Sequence, residues 1–369
     1  MYSLGLRFFI PLHPIACFLA FIGFRFTRIP LWCLVLILLG LSLMLLAMIL
    51  TWVSAFIAIK VMPRLGRVGV DVHKPCPVSV AESVGVSMLL SMIIASTPLY
   101  ILGFPREALA FSLSILVAGL VGLVDDFLVL RAWMKIALGT LPAVPILALG
   151  AYVSKPLIPL DDFARLTIVY PLALPIVYTV STNAFNMYDT HNGVMLIAAS
   201  LMLVAMVVGG YMQYTHGLQE SLLAVILGLI VLGACIGMLY YNMYPARAFN
   251  GDVGSFTVGA AIASVAIIGR VEAIALIAGL PVALNGFLKI TSIGFKERRS
   301  FRRPVELEGW LVKPRISKDS PLSIVVLVTS RTPLSEPEIV VVLTWLVWLS
   351  STLSLITLYI TLSGLTPVG

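Results

Sequence analysis

The chain has 369 residues, of which 60% are hydrophobic and only 11% charged, and its mean hydropathy is +1.06. A soluble domain is about 45–50% apolar and about 25% charged, so the composition excludes a soluble enzyme and indicates an all-α, polytopic membrane protein with no sizeable soluble domain. The net charge of +7 is concentrated: from Lys289 to Arg331 ten Lys/Arg stand against Glu297, Glu306, Glu308 and Asp319, as in a cytoplasmic loop with a positive-inside bias.

Residues 8–24 are apolar but carry Pro11, His13 and Pro14, with Arg25 and Arg28 after them. That stretch is short for a span, which needs about 20 residues. An extra helix, a re-entrant piece and an upstream extension of the true start all fit, so residues 1–30 are set apart as an N-terminal extension or extra hydrophobic segment. No small-residue cleavage site follows, which argues against a cleaved signal. Residues 31–369 read as one transmembrane catalytic domain.

Leu31 to about Ile59 is the first clear span. Lys60, Arg64, Arg67 and Lys74 follow it, among Pro63, Gly66, Gly69, Pro75 and Pro77, which break any helix. Further spans are expected from Val80 to Leu102, Ala108 to Val124, Ile136 to Val153, Leu166 to about Met187, Val194 to Tyr211, Leu222 to Tyr241, Val253 to Gly269, Val271 to about Ile293, and Ile339 to Leu362. The total is about ten. Between the last two lies a polar insertion, residues 294–338. Its Val305–Val312 and Ser323–Thr329 segments are β-branched and partly alternating, which fits a small β element as well as a surface helix. The four cysteines (Cys17, Cys33, Cys76, Cys235) and four histidines are scattered, so neither a disulfide framework nor a zinc site is indicated.

The span order sorts the loops. Those after the odd-numbered spans, counted with Lys289 at the end of the ninth span, hold 17 Lys/Arg, and the opposite loops hold four, Arg106, Lys155, Arg165 and Arg270. The first set is therefore cytoplasmic. The polar residues that look chemical fall in the same set. After the first span come Asp71-Val72-His73-Lys74 and Glu82. After the third come Asp125-Asp126, then Lys135. The fifth ends in Asn183, Asn186, Tyr188, Asp189, Thr190, His191, Asn192 and Gly193. The seventh ends in a run from Tyr240 to Asp252, and the ninth is followed by Arg298, Arg299, Arg302 and Arg303.

Adjacent carboxylates at the mouth of an apolar helix are costly unless they meet water, a cation or a partner. Lys135 follows Asp126 by nine residues, which on one unbroken helix is the opposite face. The two meet only if the chain turns back near Arg131. Asn183 and Asn186 are three apart and share a helix face. Asp and Asn oxygens suit Mg²⁺, Lys and Arg suit phosphate, and Phe249 is a candidate platform for a nucleobase. Together these describe a Mg²⁺-dependent site for a nucleotide diphosphate at a membrane surface. Each cluster also has a plainer reading alone: a solvated helix end, an Asn cap, an interfacial aromatic, an Arg run on anionic lipid heads. Those readings leave unexplained why all five clusters share one face.

In this order the motifs resemble those of the polyprenyl-phosphate N-acetylhexosamine-1-phosphate transferase superfamily (glycosyltransferase family 4), most of all its eukaryotic and archaeal UDP-GlcNAc:dolichyl-phosphate GlcNAc-1-phosphate transferases. The matching segments run from Asp71 to about Arg303. They comprise Asp71–Lys74 with Glu82, Asp125-Asp126 with Lys135, Thr182-Asn183-Ala-Phe-Asn186 with Asn192-Gly193, and Asn242-Met-Tyr-Pro-Ala-Arg-Ala-Phe-Asn-Gly-Asp252. The resemblance implies transfer of GlcNAc-1-phosphate from UDP-GlcNAc to a polyprenyl or dolichyl phosphate, with release of UMP. The product is the first lipid-linked sugar of a glycan pathway such as protein N-glycosylation.

The resemblance also implies roles. Asn186 and Asp252 hold Mg²⁺, for which Mn²⁺ can substitute. Lys135 and an arginine among Arg298, Arg299, Arg302 and Arg303 hold phosphates, and Lys74 and Asn183 line the substrate site. Phe249 stacks on uracil, with Asn192 and the backbone near Val72 and Thr190 completing that pocket. Asp125 and Asp126 position or deprotonate the lipid phosphate, and Glu82 supports the site near the sugar. The partners implied are UDP-GlcNAc, the lipid phosphate and membrane lipids, without nucleic acid; a homodimer is an open option. The site faces the cytoplasm, from a cell membrane or, in a eukaryote, the ER membrane. The bacterial peptidoglycan-precursor branch carries a histidine triplet after the ninth span, and this chain has none there, which argues against a muramoyl-pentapeptide substrate. The same phosphotransfer with another UDP-HexNAc or with undecaprenyl phosphate stays open. A transporter of a phosphorylated solute is the competing class.

Overall fold

The computed structural model describes residues 31–161, 163–294, 303–315 and 320–364. Arg298, Arg299, Arg302 and residues 1–30 lie outside them. The chain divides into two compact units, Met1–Leu39 and Gly40–Gly369. In the first, the described residues 31–39 are helical.

The long helices are α1 (Leu31–Val61), α3 (Pro105–Leu128), α6 (Val169–Tyr188), α7 (Val194–Thr215), α8 (Ser221–Asn242), α9 (Gly251–Ile268) and α13 (Glu336–Gly364). Shorter ones are α2 (Val86–Ser96), α4 (Ala132–Leu138), α5 (Ala143–Leu149), α10 (Glu272–Ala278), α11 (Leu280–Ile293) and α12 (Ile324–Thr329). Strands β1 (Val68–Asp71) and β2 (Val78–Ala81) form an antiparallel hairpin after α1, with Gly69 opposite Val80. A second sheet has the order β3 (Val305–Glu308), β4 (Leu311–Pro314), β5 (Leu334–Ser335).

Helix α9 is the central pillar: every residue from Val253 to Ile268 is buried. It packs most extensively on α3 and also on α6 and α8. Small residues make that possible, as in membrane bundles generally, where close backbone approach replaces a hydrophobic driving force. A Cβ on Gly122 of α3 would stand 2.3 Å from the Asp252 carbonyl oxygen, and one on Gly259 of α9 would stand 2.7 Å from the Thr182 Cα of α6. These two crossings bring the ends of α3 and α6 against the start of α9.

Among the described residues seven helices, or helix pairs, are long and apolar enough to cross a membrane. The pair α10–α11, bent by 60°, makes an eighth if it counts as one span. The count of ten expected from the sequence is not reached. Helix α2, with the 3-10 turn Thr97–Tyr100, is shorter than a span because residues 78–81 are spent on β2. Helix α6 contains Pro175 and ends in Ser181, Thr182, Asn183 and Asn186, so its mean apolarity falls. Near Gly279 and Pro281 the expected ninth span breaks into α10 and α11. The fourth is broken into α4 and α5 around Gly139–Pro142 but still counts as one of the seven. In the insertion, the Val305–Val312 stretch is the β3–β4 hairpin, turning at Gly309 with φ +62°. Residues 324–329 are helix α12, whose Ser323 side chain accepts the Val326 N–H.

Candidate active site

The C-terminal ends of α3, α6 and α8 meet the N-terminus of α9. Helix α3 stops at Leu128 because Val129 takes a left-handed φ of +52°. Arg131 is extended, and α4 starts at Ala132. The chain thereby turns back and returns Lys135 to the acids. Lys135 forms an ion pair with Asp125 and donates to Asp252 Oδ2 at 2.9 Å. Asp125 is 3% exposed, and its Oδ1 accepts the Leu130 N–H at 2.7 Å, which ties it to the turn that delivers Lys135.

Asp126 is used differently from its neighbour. Its Oδ1 accepts the Asp252 N–H at 2.9 Å and its Oδ2 the Val253 N–H at 3.2 Å. The first N–H groups of a helix have no partner within it, and the helix dipole favours an anion there. Asp126 is therefore the anion that holds the start of α9. Gly251 makes room for it: φ is +69°, and a Cβ would lie 2.6 Å from Asp126 Oδ2 and 2.7 Å from the Ser83 Cα. With both oxygens committed to backbone, Asp126 positions Asp252.

Asn186, on the last turn of α6, donates from Nδ2 to Asp252 Oδ1 at 2.7 Å and to Ser255 Oγ at 3.0 Å. The side-chain atom it leaves to ligate a cation is its amide oxygen. Asn183 is not drawn into this group. It donates to Thr179 O of its own helix at 2.8 Å and lies beside Gly139. Thr179 Oγ1 donates to Ile136 O at 2.7 Å. The pair supports α4, the helix that carries Lys135.

Glu82 accepts from Arg67 Nη2 at 2.5 Å, and the same nitrogen lies 4.0 Å from Asp126 Oδ1. Arg67 Nε also donates to Ser83 Oγ at 3.3 Å. Lys135 and Arg67 thus bring two positive charges against the four carboxylates of Glu82, Asp125, Asp126 and Asp252. Carboxylate and amide oxygens in excess of positive charge fit a hard divalent cation such as Mg²⁺. Asp252, 28% exposed at its side chain, and the Asn186 amide oxygen could hold one.

A second cluster lies at the β1 end. Asp71 is buried, pairs with Lys74 and accepts from Asn192 Nδ2 at 3.0 Å. Burial pushes its carboxyl upward, but the hydrogen bonds from Lys74 and Asn192 outweigh that and hold it below the ordinary carboxylate value. The rings of His73 and His191 stack in parallel with centroids 4.3 Å apart. Burial lowers the pKa of His73 despite Asp71, and Lys74 and Arg303 lower it further. Burial takes His191 well below 6.5. The stack is therefore a neutral, packed pair at neutral pH. Arg303, exposed, sends its charge toward His73. Val72 and Thr190 are half-buried here, with Thr190 Oγ1 3.0 Å from His191 Nδ1.

Between the clusters runs a bridge of side chains. Asn250 Nδ2 donates to Asp189 Oδ2 at 2.9 Å and to Asn242 Oδ1 at 3.2 Å, and Asn242 Oδ1 also accepts the Gly193 N–H. Burial raises Asp189 to about 6, against the Asn250 hydrogen bond. Phe249 is half-buried, with its N–H on Ala81 O at 2.8 Å. Its ring lies over Gly69, where a Cβ would be 2.8 Å away, so β1 fixes the ring from one side.

Sequence reasoning passed over Arg67, Asp189, Ser255 and Glu336 as site residues. Arg67 reads by composition as part of a basic loop. Asp189 lies in the polar run that ends the fifth span and has no spacing signal of its own. Ser255 follows Asp252 by three residues on one helix face. Glu336 lies at the mouth of the last span and carries no spacing signal linking it to Lys74 or Asn192.

Residues 108–270 match the family profile described as Glycosyl transferase family 4. The segment contains Asp125, Asp126, Lys135, Asn186, Asn192, Phe249 and Asp252. A phospho-N-acetylmuramoyl-pentapeptide-transferase of Moorella thermoacetica is 34% identical over 149 residues, which is 38% of this chain and 45% of that relative. The match thus spans less than half the length of the relative. The chain is an integral membrane protein, and its residues 108–270, which hold the Asp125–Lys135–Asn186–Asp252 cluster, are similar to the Glycosyl transferase family 4 profile.

Proposed function

We propose that the protein transfers GlcNAc-1-phosphate from UDP-GlcNAc to a polyprenyl phosphate such as dolichyl phosphate, releasing UMP. The observation that carries this reading is the meeting of Asp125, Lys135, Asn186 and Asp252, from four helices, within hydrogen-bond or ion-pair reach. A transport path would set polar groups near the bilayer centre. Here they gather at one end of the bundle, which the loop charges assign to the cytoplasmic side.

A phosphate oxygen of the lipid acceptor attacks the β-phosphorus of the donor. A new P–O bond forms there, the bond from that phosphorus to the bridging oxygen breaks, and the electron pair leaves with UMP. Such a transfer depends on in-line placement and charge neutralisation more than on covalent help. Mg²⁺ bound by Asp252 and Asn186 would supply Lewis-acid stabilisation of the pyrophosphate oxygens. Lys135 contributes a fixed positive charge beside Asp252 and keeps Asp125 oriented. In this reading Asp125 accepts a proton from a singly ionised acceptor phosphate, whose second pKa is about 6. Phe249 offers a face for uracil, and Arg303 a charge at the other end of the pocket. The acceptor carries its phosphate at headgroup depth, so this reading requires a site that opens sideways to the bilayer.

The test is UMP formation by the full chain in detergent with Mg²⁺ and a polyprenyl phosphate, over a panel of UDP-sugars. UMP from UDP-GlcNAc supports the reading, and no UMP from any sugar rejects it. The Moorella thermoacetica relative favours a second reading, in which the donor carries phospho-N-acetylmuramoyl-pentapeptide and the acceptor is undecaprenyl phosphate; turnover of that donor alone would select it. In either case Asp125→Asn is expected to lose most activity, about 100-fold or more in kcat. Near-normal UMP release by that variant would remove Asp125 from the reaction.

A further inference from the structure

Glu336 opens α13 and lies outside residues 108–270. It is 1% exposed. One carboxylate oxygen, Oε1, accepts the Asn192 backbone N–H at 2.9 Å, and the other, Oε2, stands 3.4 Å from Lys74 Nζ. Lys74 also pairs with Asp71, and Asp71 accepts the Asn192 side-chain amide at 3.0 Å. The four residues close a ring between the loop after β1, the turn between α6 and α7, and the start of the last helix.

The ring has a chemical consequence for Asn192. An ionised carboxylate only accepts hydrogen bonds, so the Asn192 nitrogen must face Asp71 and its carbonyl oxygen must face away. The backbone of the same residue is held by Glu336. Lys74 keeps Asp71 charged and is shared between the two acids, with its ammonium 4.7 Å from the Tyr244 ring centroid. Helix attachment alone does not require a carboxylate. A buried charged ring stabilises a fold little better than well-packed apolar side chains, whereas it does enforce a single amide orientation.

We propose that Glu336 is a positioning residue for nucleobase selection, acting through Lys74 and Asp71 to hold the Asn192 carbonyl as the acceptor that a base with an N–H edge requires. The inference rests on the reading of the site as one for a uridine nucleotide. Uracil offers N3–H to such an acceptor, and cytosine offers a lone pair at the same place. The ring therefore favours uracil through the amide it holds in place.

The experiment measures UMP and CMP binding to the full chain in detergent with Mg²⁺, by calorimetry, for wild type, Glu336→Gln and Asp71→Asn. Glu336→Gln retains an acceptor for the Asn192 N–H but removes the negative charge that faces Lys74. Asp71→Asn frees the amide to turn. Both variants are expected to bind UMP more weakly and to lower the UMP:CMP affinity ratio about five- to tenfold, the effect of one hydrogen bond. In turnover, Glu336→Gln is expected to raise KM for the UDP-sugar while kcat stays unchanged, and Glu336→Asp to recover part of the ratio. An unchanged ratio in a folded Glu336→Gln or Asp71→Asn variant overturns the inference while leaving the transferase reading intact. A wild type that binds neither nucleotide overturns both.

Discussion

Replacing Asp252 by alanine is expected to lower Mg²⁺-dependent UMP release by at least about 100-fold, equivalent to about 2.7 kcal/mol of transition-state stabilisation. Three contacts meet on this residue: Lys135 on Oδ2, Asn186 on Oδ1, and the Asp126 carboxylate on its backbone N–H. Alanine keeps the last and removes the first two. The loss should therefore fall on turnover, with the fold retained. Asn186 would lose its charged partner, and Lys135 would be left to Asp125 alone. The measurement is kcat at saturating Mg²⁺ beside thermal unfolding of the same preparation. A variant that keeps its unfolding temperature and loses activity fits this expectation; one that keeps both contradicts it.

Asp126→Ala should behave otherwise, losing stability together with activity. Its two oxygens accept the first N–H groups of α9, and each buried donor left without a partner costs about 1–3 kcal/mol. The removed carboxylate also takes away an anion at the positive end of the α9 dipole. Because α9 is buried along nearly its whole length, the loss is not relieved by water along the helix. The expected result is a clear fall in thermal unfolding temperature in detergent, with activity falling as Asp252 moves. Asp126→Asn, whose amide has a single accepting oxygen, should lie between wild type and alanine. Unchanged unfolding in the alanine variant would contradict the positioning role.

Much of this site could be read from residue type and spacing, and the remainder could not, for physical reasons. The phase of a helix required a reversal, since nine residues put Lys135 on the opposite face from Asp126; Val129 provides the reversal, but the lysine it returns pairs with Asp125 and Asp252 rather than with Asp126. The proximity of Asn186 and Asp252 was implied by resemblance, and the structure brings them to 2.7 Å. The distinct use of Asp125 and Asp126 was invisible, because two adjacent carboxylates look alike until a helix start is placed over one of them. Arg67 carried the composition of a positive-inside loop and is instead tied to Glu82 and Ser83. Glu336 had no local signal, since its partners are 262 and 144 residues away. Among the described residues the span count reaches seven or eight rather than ten, because hydropathy does not see Val80 pairing in a strand or the 60° bend between α10 and α11.

The claim on which the account rests is that Asp252 and Asn186 hold one divalent cation at the cytoplasmic end of α9. Mn²⁺ titration of the full chain in detergent, followed by electron paramagnetic resonance with UDP-GlcNAc present, tests it most directly. The account predicts saturable binding of one ion per chain, lost in Asp252→Ala and weakened in Asn186→Ala. Equal Mn²⁺ binding by wild type and both variants would contradict it.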